Sequence, residues 1–116
     1  MSDVTIYHNP RCSKSRQTLQ LLEEQGITPN VRLYLKDIPD TNELNDVLNK
    51  LGITARELLR TKEEEFKELS LNDTSKSDQD ILEAMIAHPK LIERPIVVKG
   101  EQARIGRPPE HVLDIL

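Results

Sequence analysis

The 116-residue chain contains a single cysteine, Cys12, no tryptophan, two tyrosines and one phenylalanine. One cysteine excludes an internal disulfide, so the chain is not a small secreted module held together by disulfides. Its longest apolar run is four residues, Ala84 to Ala87, whereas a membrane-spanning helix needs about 20. The first residues have neither a basic start nor an apolar signal segment. We therefore expect one compact cytoplasmic domain, with no membrane span and a core of Leu, Ile and Val.

The net charge of −4 hides an uneven distribution along the chain. Residues 1–36 carry a net +2, residues 37–83 a net −7 and residues 84–116 a net +1, and residues 8–16 contain no acid. An acidic total argues against nucleic acid as a partner. The basic residues around Cys12 are compatible with capture of a small anion, although a solvated surface without a ligand is the commoner meaning of such a cluster.

The first third of the chain predicts a βαβ unit. Alternation over Val4–Tyr7 predicts a short strand, and a helical pattern follows Pro10 and ends at Gly26. Residues 31–35 predict a second strand, parallel to the first because the helix connects them.

The middle and end of the chain predict helices followed by strands. Three helices are expected: one ended by Gly52, a short one opened by a capping box at Thr54–Glu57, and one opened at Ser77–Asp80 and ended by Pro89. Two paired strands, 95–98 and 102–105, and a last helix through Leu116 follow. This order predicts a single α/β domain over residues 1–116, a thioredoxin-like (glutaredoxin-like) mixed sheet with a helical insertion at about residues 40–90.

Cys12 is the strongest candidate for chemistry. It lies between a predicted strand and the start of a predicted helix, where unpaired N–H groups and the helix dipole favour a thiolate. Arg11, Lys14 and Arg16 add positive charge nearby, and such surroundings lower a cysteine pKa. The alternative is an inert buried cysteine.

Motif comparisons narrow this chemistry. Cys12-Ser13-Lys14-Ser15 is a C-x-x-S sequence, so a second thiol must come from another molecule. A phosphatase-type loop has an arginine six residues after its cysteine, and Thr18 occupies that position here, so this motif is absent. The three histidines show no metal-ligand spacing with the cysteine, so we expect no metal site. We also expect no bound cofactor.

Several other residues have two open interpretations. His8 could hold a thiolate as an ion pair or be a loop residue with no role. Arg60, Arg94 and Arg107 are individually most typical of a protein surface. Pro95 opens a predicted strand, which suits an edge position or a cis bond.

Three segments together resemble the glutaredoxin-linked arsenate reductase (ArsC) family: residues 8–19, HNPRCSKSRQTL; residues 94–97, RPIV; and residues 106–108, GRP. The resemblance covers Ile6 to Leu116 and looks most like a shorter branch of the family. It implies the thioredoxin-like fold already expected from the element order.

The resemblance also implies a mechanism for arsenic detoxification. Cys12 would attack arsenate to form a thiol–arsenate adduct, which glutathione and glutaredoxin would resolve as co-substrates to release arsenite. The implied site residues are the oxyanion-binding Arg60, Arg94 and Arg107, the thiolate-stabilising His8 and Ser15, and the site-loop residues Asn9, Arg16 and Pro95, with Pro95 as a cis-proline.

Two other functions remain open at this point. The same scaffold could carry a thiol oxidoreductase that acts on another oxyanion or on a glutathione mixed disulfide. A related branch, the Spx-like regulators, binds RNA polymerase without catalysis, and many of its members use a C-x-x-C switch that Ser15 removes here.

Overall fold

The computed structural model describes residues 3–116, which form two compact units. One unit combines residues 3–37 with Arg94–Leu116, and the other is Ile38–Glu93. The helical insertion expected at about residues 40–90 lies within the second unit.

A four-stranded mixed sheet organises the first unit. Its strands are β1 (Val4–Tyr7), β2 (Asn30–Arg32), β3 (Ile96–Lys99) and β4 (Gln102–Ile105), in the order β2-β1-β3-β4. β1 pairs parallel to β2 and antiparallel to β3, and β3 pairs antiparallel to β4. The predicted first strand, the parallel pairing and the C-terminal hairpin are confirmed.

Helix α1 (Ser13–Glu24) joins β1 to β2, as the βαβ prediction requires. Gly26 follows its end with φ +76°, a left-handed conformation that favours glycine. Leu22 of α1 packs with Ile6 and Val97 of the sheet in the core. Residues Pro109–Ile115, expected to be an ordinary helix, form a 3₁₀ helix whose Val112 and Ile115 complete that core.

The second predicted strand, 31–35, is wrong in its length. β2 ends at Arg32, and the next residues form a turn in which the N–H groups of Lys36 and Asp37 both donate to the Leu33 carbonyl, at 3.0 and 2.8 Å. Tyr34 is buried whereas Leu33 and Leu35 are exposed on either side of it. A period-two burial pattern therefore arises here without a strand, because a single turn can also alternate its side chains.

Helices α2 (Thr41–Leu51), α3 (Glu64–Glu68) and α4 (Asp78–Ala87) belong to the second unit, where α2 packs against α4. Two 3₁₀ helices, Arg56–Leu58 and Pro89–Leu91, accompany them. The sequence missed α3, which spans five residues and buries none of them, so no apolar periodicity marks it.

Side-chain hydrogen bonds form at both of the capping boxes that the sequence predicts. The Ser77 hydroxyl accepts from the Asp80 N–H while the Asp80 carboxylate accepts from the Ser77 N–H, which completes the expected capping box. Thr54 and Glu57 exchange the same pair of bonds, each 3.3 Å long.

Two extended segments of the second unit lie side by side and hold Arg60. Leu59 and Ile92 form an antiparallel bridge, and the Arg60 N–H donates to the Leu91 carbonyl at 2.8 Å. Among residues 3–116, no helix is both long and apolar enough to cross a membrane.

Candidate active site

Cys12 is the N-cap residue of α1, with an extended backbone at φ −93° and ψ 124°. Its N–H donates to the Asn9 carbonyl at 3.0 Å, and its own carbonyl accepts the Arg16 N–H at 3.0 Å. The loop from Asn9 to Cys12 is therefore a closed turn that delivers the thiol to the helix N-terminus. The cysteine side chain is buried, with 8% of the residue exposed.

Opposing effects set the pKa of the Cys12 thiol, and the net result is a lowered value. Burial raises the pKa because it disfavours the charged thiolate. The Ser15 N–H, the Arg94 guanidinium, the Lys14 N–H and the Arg107 guanidinium all lower it and together prevail. The thiolate therefore forms more readily than in an ordinary cysteine.

The cations that lower the pKa of Cys12 are not the ones that the sequence predicted. Arg11, Lys14 and Arg16 were the expected source of positive charge, but the charges that act on the thiol belong to Arg94 and Arg107. Lys14 contributes through its backbone N–H. Nearness in sequence therefore does not decide which cations act on the thiol, because the β3–β4 hairpin brings distant residues to it.

The Arg107 guanidinium is in direct contact with the thiol. Its Nη2 lies 3.8 Å from Sγ of Cys12, and its Nε donates to the Arg94 carbonyl at 2.9 Å. The Gly106 N–H donates to the Pro95 carbonyl at 2.9 Å, which extends the β3–β4 pairing by one step. The hairpin thus carries both arginines to the thiol from positions more than 80 residues downstream in the chain.

The peptide bonds Arg94–Pro95 and Arg107–Pro108 are both cis. For Pro95 the cis form is the one that the family resemblance implies. The second cis bond, at Pro108, was not expected from the sequence.

Thr18 and Gly106 pack α1 against the hairpin behind the site. A Cβ atom on Gly106 would lie 2.5 Å from Oγ1 of Thr18 and 2.9 Å from Cγ of Pro95, closer than van der Waals contact permits. Thr18 is fully buried and donates to the Lys14 carbonyl at 2.8 Å. Sequence reasoning missed Thr18 as a positioning residue, although a threonine on the apolar face of a short helix is a usable signal.

His8 and Ser15 are joined beside the cysteine loop. Nδ1 of His8 lies 2.6 Å from Oγ of Ser15, and both side chains are buried. The Ser15 hydroxyl accepts from the Asn9 N–H at 3.0 Å, so its own proton is available for the imidazole. These bonds tie the end of β1 to the first turn of α1.

The charge state of His8 argues against the ion-pair interpretation. Burial first and the positive charge of Arg16 second lower the His8 pKa below its ordinary value of 6.5. The ring is therefore neutral near pH 7 and orients Ser15 instead of supplying a cation. Arg16 itself closes the loop, since its Nη1 donates to the Pro10 carbonyl at 2.9 Å.

Arg60 belongs to the second unit, where its Nη1 lies 2.6 Å from Oε1 of Glu63 and its Nε lies 4.0 Å from Oε1 of Glu93. Its predicted part in oxyanion binding stays a prediction from the sequence. Among residues 3–116, no group of three or more His, Cys, Asp or Glu side chains is arranged to hold a metal ion.

The family model, the curated relatives and the solved structures all point to the same family. The ArsC family model matches residues 7–115. The chain is 57% identical to the uncharacterized protein YfgD of Escherichia coli and 52% identical to an arsenate reductase of Haemophilus influenzae, in each case over 97% of this chain and 96% and 98% of the relative. A solved structure of an arsenate reductase from Vibrio cholerae superimposes with a TM-score of 0.95 at 57% identity and covers 97% of both chains. The thioredoxin-like fold expected from the sequence is thereby confirmed.

Proposed function

Because this chain belongs to the ArsC family, we propose that it is an arsenate reductase, an oxidoreductase in which Cys12 is the nucleophile. The observation that carries the proposal is the Cys12 thiol at the N-terminus of α1, with its pKa lowered and Nη2 of Arg107 at 3.8 Å. We take arsenate as the substrate because relatives of this chain are named arsenate reductase.

Arsenate is a tetrahedral oxyanion, and the groups around Cys12 suit its charge and shape. The guanidinium groups of Arg94 and Arg107 can each present two N–H donors to oxygens of one anion. The N–H groups that open α1 offer further donors and a favourable dipole. Arg60 is the third arginine of the proposed set, on the strength of the sequence motif alone.

The single cysteine determines how the electrons balance. The Cys12 thiolate attacks arsenic, an S–As bond forms, and one arsenate oxygen leaves as water after protonation. Reduction of As(V) to As(III) takes two electrons, which two external thiols supply as they join in one disulfide. Overall, arsenate and two thiols give arsenite, one disulfide and water, and Cys12 is regenerated.

We assign the two external thiols to glutathione and to a glutaredoxin. The chain offers no second cysteine to resolve the adduct, so a pool of thiols must do so. The cytoplasm keeps such thiols reduced, and we expect the reaction there.

Under this proposal His8 and Ser15 are positioning residues. The neutral His8 ring holds the Ser15 hydroxyl, and Ser15 fixes the first turn of α1 through its bond to Asn9. The backbone N–H of Ser15, the largest of the effects that lower the Cys12 pKa, is thereby aimed at the sulfur.

Replacement of Cys12 tests the function directly. In an assay with arsenate, glutathione and glutaredoxin, we expect the wild-type protein to release arsenite and Cys12→Ser to fall to the rate without enzyme. A hydroxyl at this position is not ionised near pH 7 and cannot form the adduct. The matched control is Ser13→Ala, a small change at the neighbouring exposed position.

Two results would contradict the proposal. Full turnover by Cys12→Ser would remove the thiol from the mechanism. An inactive wild-type protein whose Cys12 still reacts readily with thiol reagents would instead favour another oxyanion or a glutathione mixed disulfide as the substrate.

A further inference from the structure

Two carboxylates flank the Arg60 guanidinium in the second unit. Oε1 of Glu63 lies 2.6 Å from Nη1, and Oε1 of Glu93 lies 4.0 Å from Nε. The Arg60 side chain is 23% exposed and each glutamate side chain 26%, so water screens these charges less than it does at an open surface. We call these three residues the Arg60 cluster, in which two negative charges face one positive charge.

The backbone keeps two members of the cluster together. Arg60 and Glu93 belong to the two extended segments that are bridged at Leu59 and Ile92, and the Glu93 N–H donates to the Leu58 carbonyl at 2.9 Å. Leu58, Leu59 and Ile92 are all buried. These buried side chains anchor both segments, so the guanidinium and the Glu93 carboxylate stay near each other.

The third member, Glu63, is the N-cap residue of α3. An N-cap side chain often accepts an N–H of the first helical turn, but the Glu63 side chain makes no such cap bond. Its carboxylate lies against Nη1 of Arg60 instead. Replacement of this carboxylate should therefore change the charge next to Arg60 without removing a cap from the helix.

The two carboxylates oppose any attraction between Arg60 and an anion. An oxyanion that binds the guanidinium is attracted by its one positive charge and repelled by the two negative charges. Coulomb energies are proportional to the charge on the anion, so this repulsion is twice as large for a dianion as for a monoanion. The cluster thus lowers the affinity for dianions more than the affinity for monoanions.

We infer that Glu63 and Glu93 are specificity-determining residues that weaken the binding of a dianion to Arg60 more than the binding of a monoanion. The inference rests on the proposed function, which includes Arg60 in the oxyanion-binding set. Arsenate is mainly a dianion just above neutral pH, whereas arsenite is uncharged there. Weaker binding of the dianion limits how far the substrate is stabilised relative to the less charged species that follow it.

Protection of Cys12 from alkylation measures anion binding without arsenate and without turnover. Iodoacetamide modifies the thiol, and an anion held by the proposed arginine set slows that reaction. The rate at increasing anion concentration gives a half-protecting concentration. The probes are sulfate, a tetrahedral dianion, and methanesulfonate, a tetrahedral monoanion, with chloride used to hold the ionic strength constant.

Glu63→Gln is the decisive variant, because its amide oxygen can still accept a hydrogen bond from Nη1 while the charge is lost. We expect the half-protecting sulfate concentration to fall about tenfold at low ionic strength and that of methanesulfonate about threefold, since half the charge gives half the gain in free energy. Addition of Glu93→Gln should lower both concentrations further. A misfolded variant would not bind anions more tightly.

Glu64→Gln is the matched control. Glu64 is exposed in the first turn of α3, where water screens its charge, so the same replacement should change both concentrations less than about twofold. Arg60→Ala is the second control and should raise the half-protecting sulfate concentration. In that background the gain from Glu63→Gln should shrink, because the guanidinium no longer holds the carboxylate in place.

The inference is overturned if Glu63→Gln leaves the half-protecting sulfate concentration unchanged or raises it. It is also overturned if sulfate and methanesulfonate gain by the same factor, since charge would then not be the cause, or if the gain is undiminished in the Arg60→Ala background. None of these results depends on arsenate. A wild-type protein that does not turn over arsenate would contradict the proposed function and leave this measurement intact.

Discussion

At the scale of single residues, two guanidinium groups from distant parts of the chain help to lower the pKa of the Cys12 thiol. Cys12 stood out because a strand, a proline turn and a helix pattern surround it, and all of these are local signals. The guanidinium groups of Arg94 and Arg107 reach the sulfur only through the pairing of β1 with β3 and of β3 with β4. Local sequence carries no record of that pairing, so only the family resemblance pointed to these arginines.

Removal of the guanidinium at position 107 should raise the Cys12 pKa. In Arg107→Ala a guanidinium 3.8 Å from Sγ is lost, so alkylation of Cys12 by neutral iodoacetamide should reach its half-maximal rate at a higher pH than in the wild-type protein. The rate against pH gives the shift. Lys14→Ala is the control, since Lys14 acts through its backbone N–H, and the curve should stay in place. If the alkylation rate of Arg107→Ala depends on pH as in the wild-type protein, Arg107 does not stabilise the thiolate.

At the scale of elements, capped helices were predictable and the turn after β2 was not. Asp40, Ser77 and Thr54 each accept a hydrogen bond from an N–H three residues later, a signal written in short-range sequence. The turn from Leu33 to Lys36 begins with an apolar run that is also typical of a strand, and the Arg32–Asp37 ion pair joins the residues on either side of it. Sequence periodicity does not show whether such an ion pair and turn are more stable than a longer paired strand.

The contact between α1 and the β3–β4 hairpin should be intolerant of one extra methyl group. In Gly106→Ala the new Cβ would overlap Thr18 and Pro95, and we expect a loss of about 1–3 kcal/mol in the free energy of unfolding. Urea denaturation measures the loss. The Cys12 pKa should rise as well, because Arg107 follows the displaced residue.

A second substitution checks the cause of that loss. Thr18→Ala removes the atom that the new methyl group would strike, so Gly106→Ala should cost less in a Thr18→Ala background than in the wild-type chain. Equal costs in the two backgrounds would show that this overlap is not the reason.

At the scale of the whole molecule, the first unit is built from two stretches of chain, which residues 38–93 separate in the sequence. The order of elements in the sequence predicted that both ends of the chain contribute strands to one sheet, because neither the βαβ pattern nor the terminal hairpin forms a complete sheet alone. What could not be predicted is the detailed fit of Gly106 against Thr18, which depends on atomic packing between the two stretches.

Folding stability should rise with pH through two titrations, one of His8 and one of Cys12. The folded pKa of His8 lies below 6.5, so the unfolded chain binds that proton more tightly and stability is lost as the pH falls below 6.5. The folded pKa of Cys12 lies below its ordinary 9.0, so stability rises as the pH approaches 9.0 and is lost on the way down to the folded pKa. Urea midpoints measured from pH 5 to pH 9 give both slopes.

The Cys12→Ala variant separates the two windows. It should keep the rise around His8 and lose the rise at higher pH, since alanine does not titrate. A wild-type midpoint that falls between pH 7.5 and pH 9, or an unchanged upper slope in Cys12→Ala, would contradict the lowered cysteine pKa.

Cys12 and Arg107 lie 95 positions apart in the sequence, which has a consequence for the newly synthesised chain. A ribosome adds about 5–20 residues per second, so Cys12 exists for roughly 5–20 s before the codon for its guanidinium partner is read. During that interval β1 also lacks β3, and the thiol has the ordinary reactivity of an unfolded cysteine. The reactive thiolate therefore appears only after Arg107 has been synthesised, which protects the earlier nascent chain from premature oxidation or alkylation.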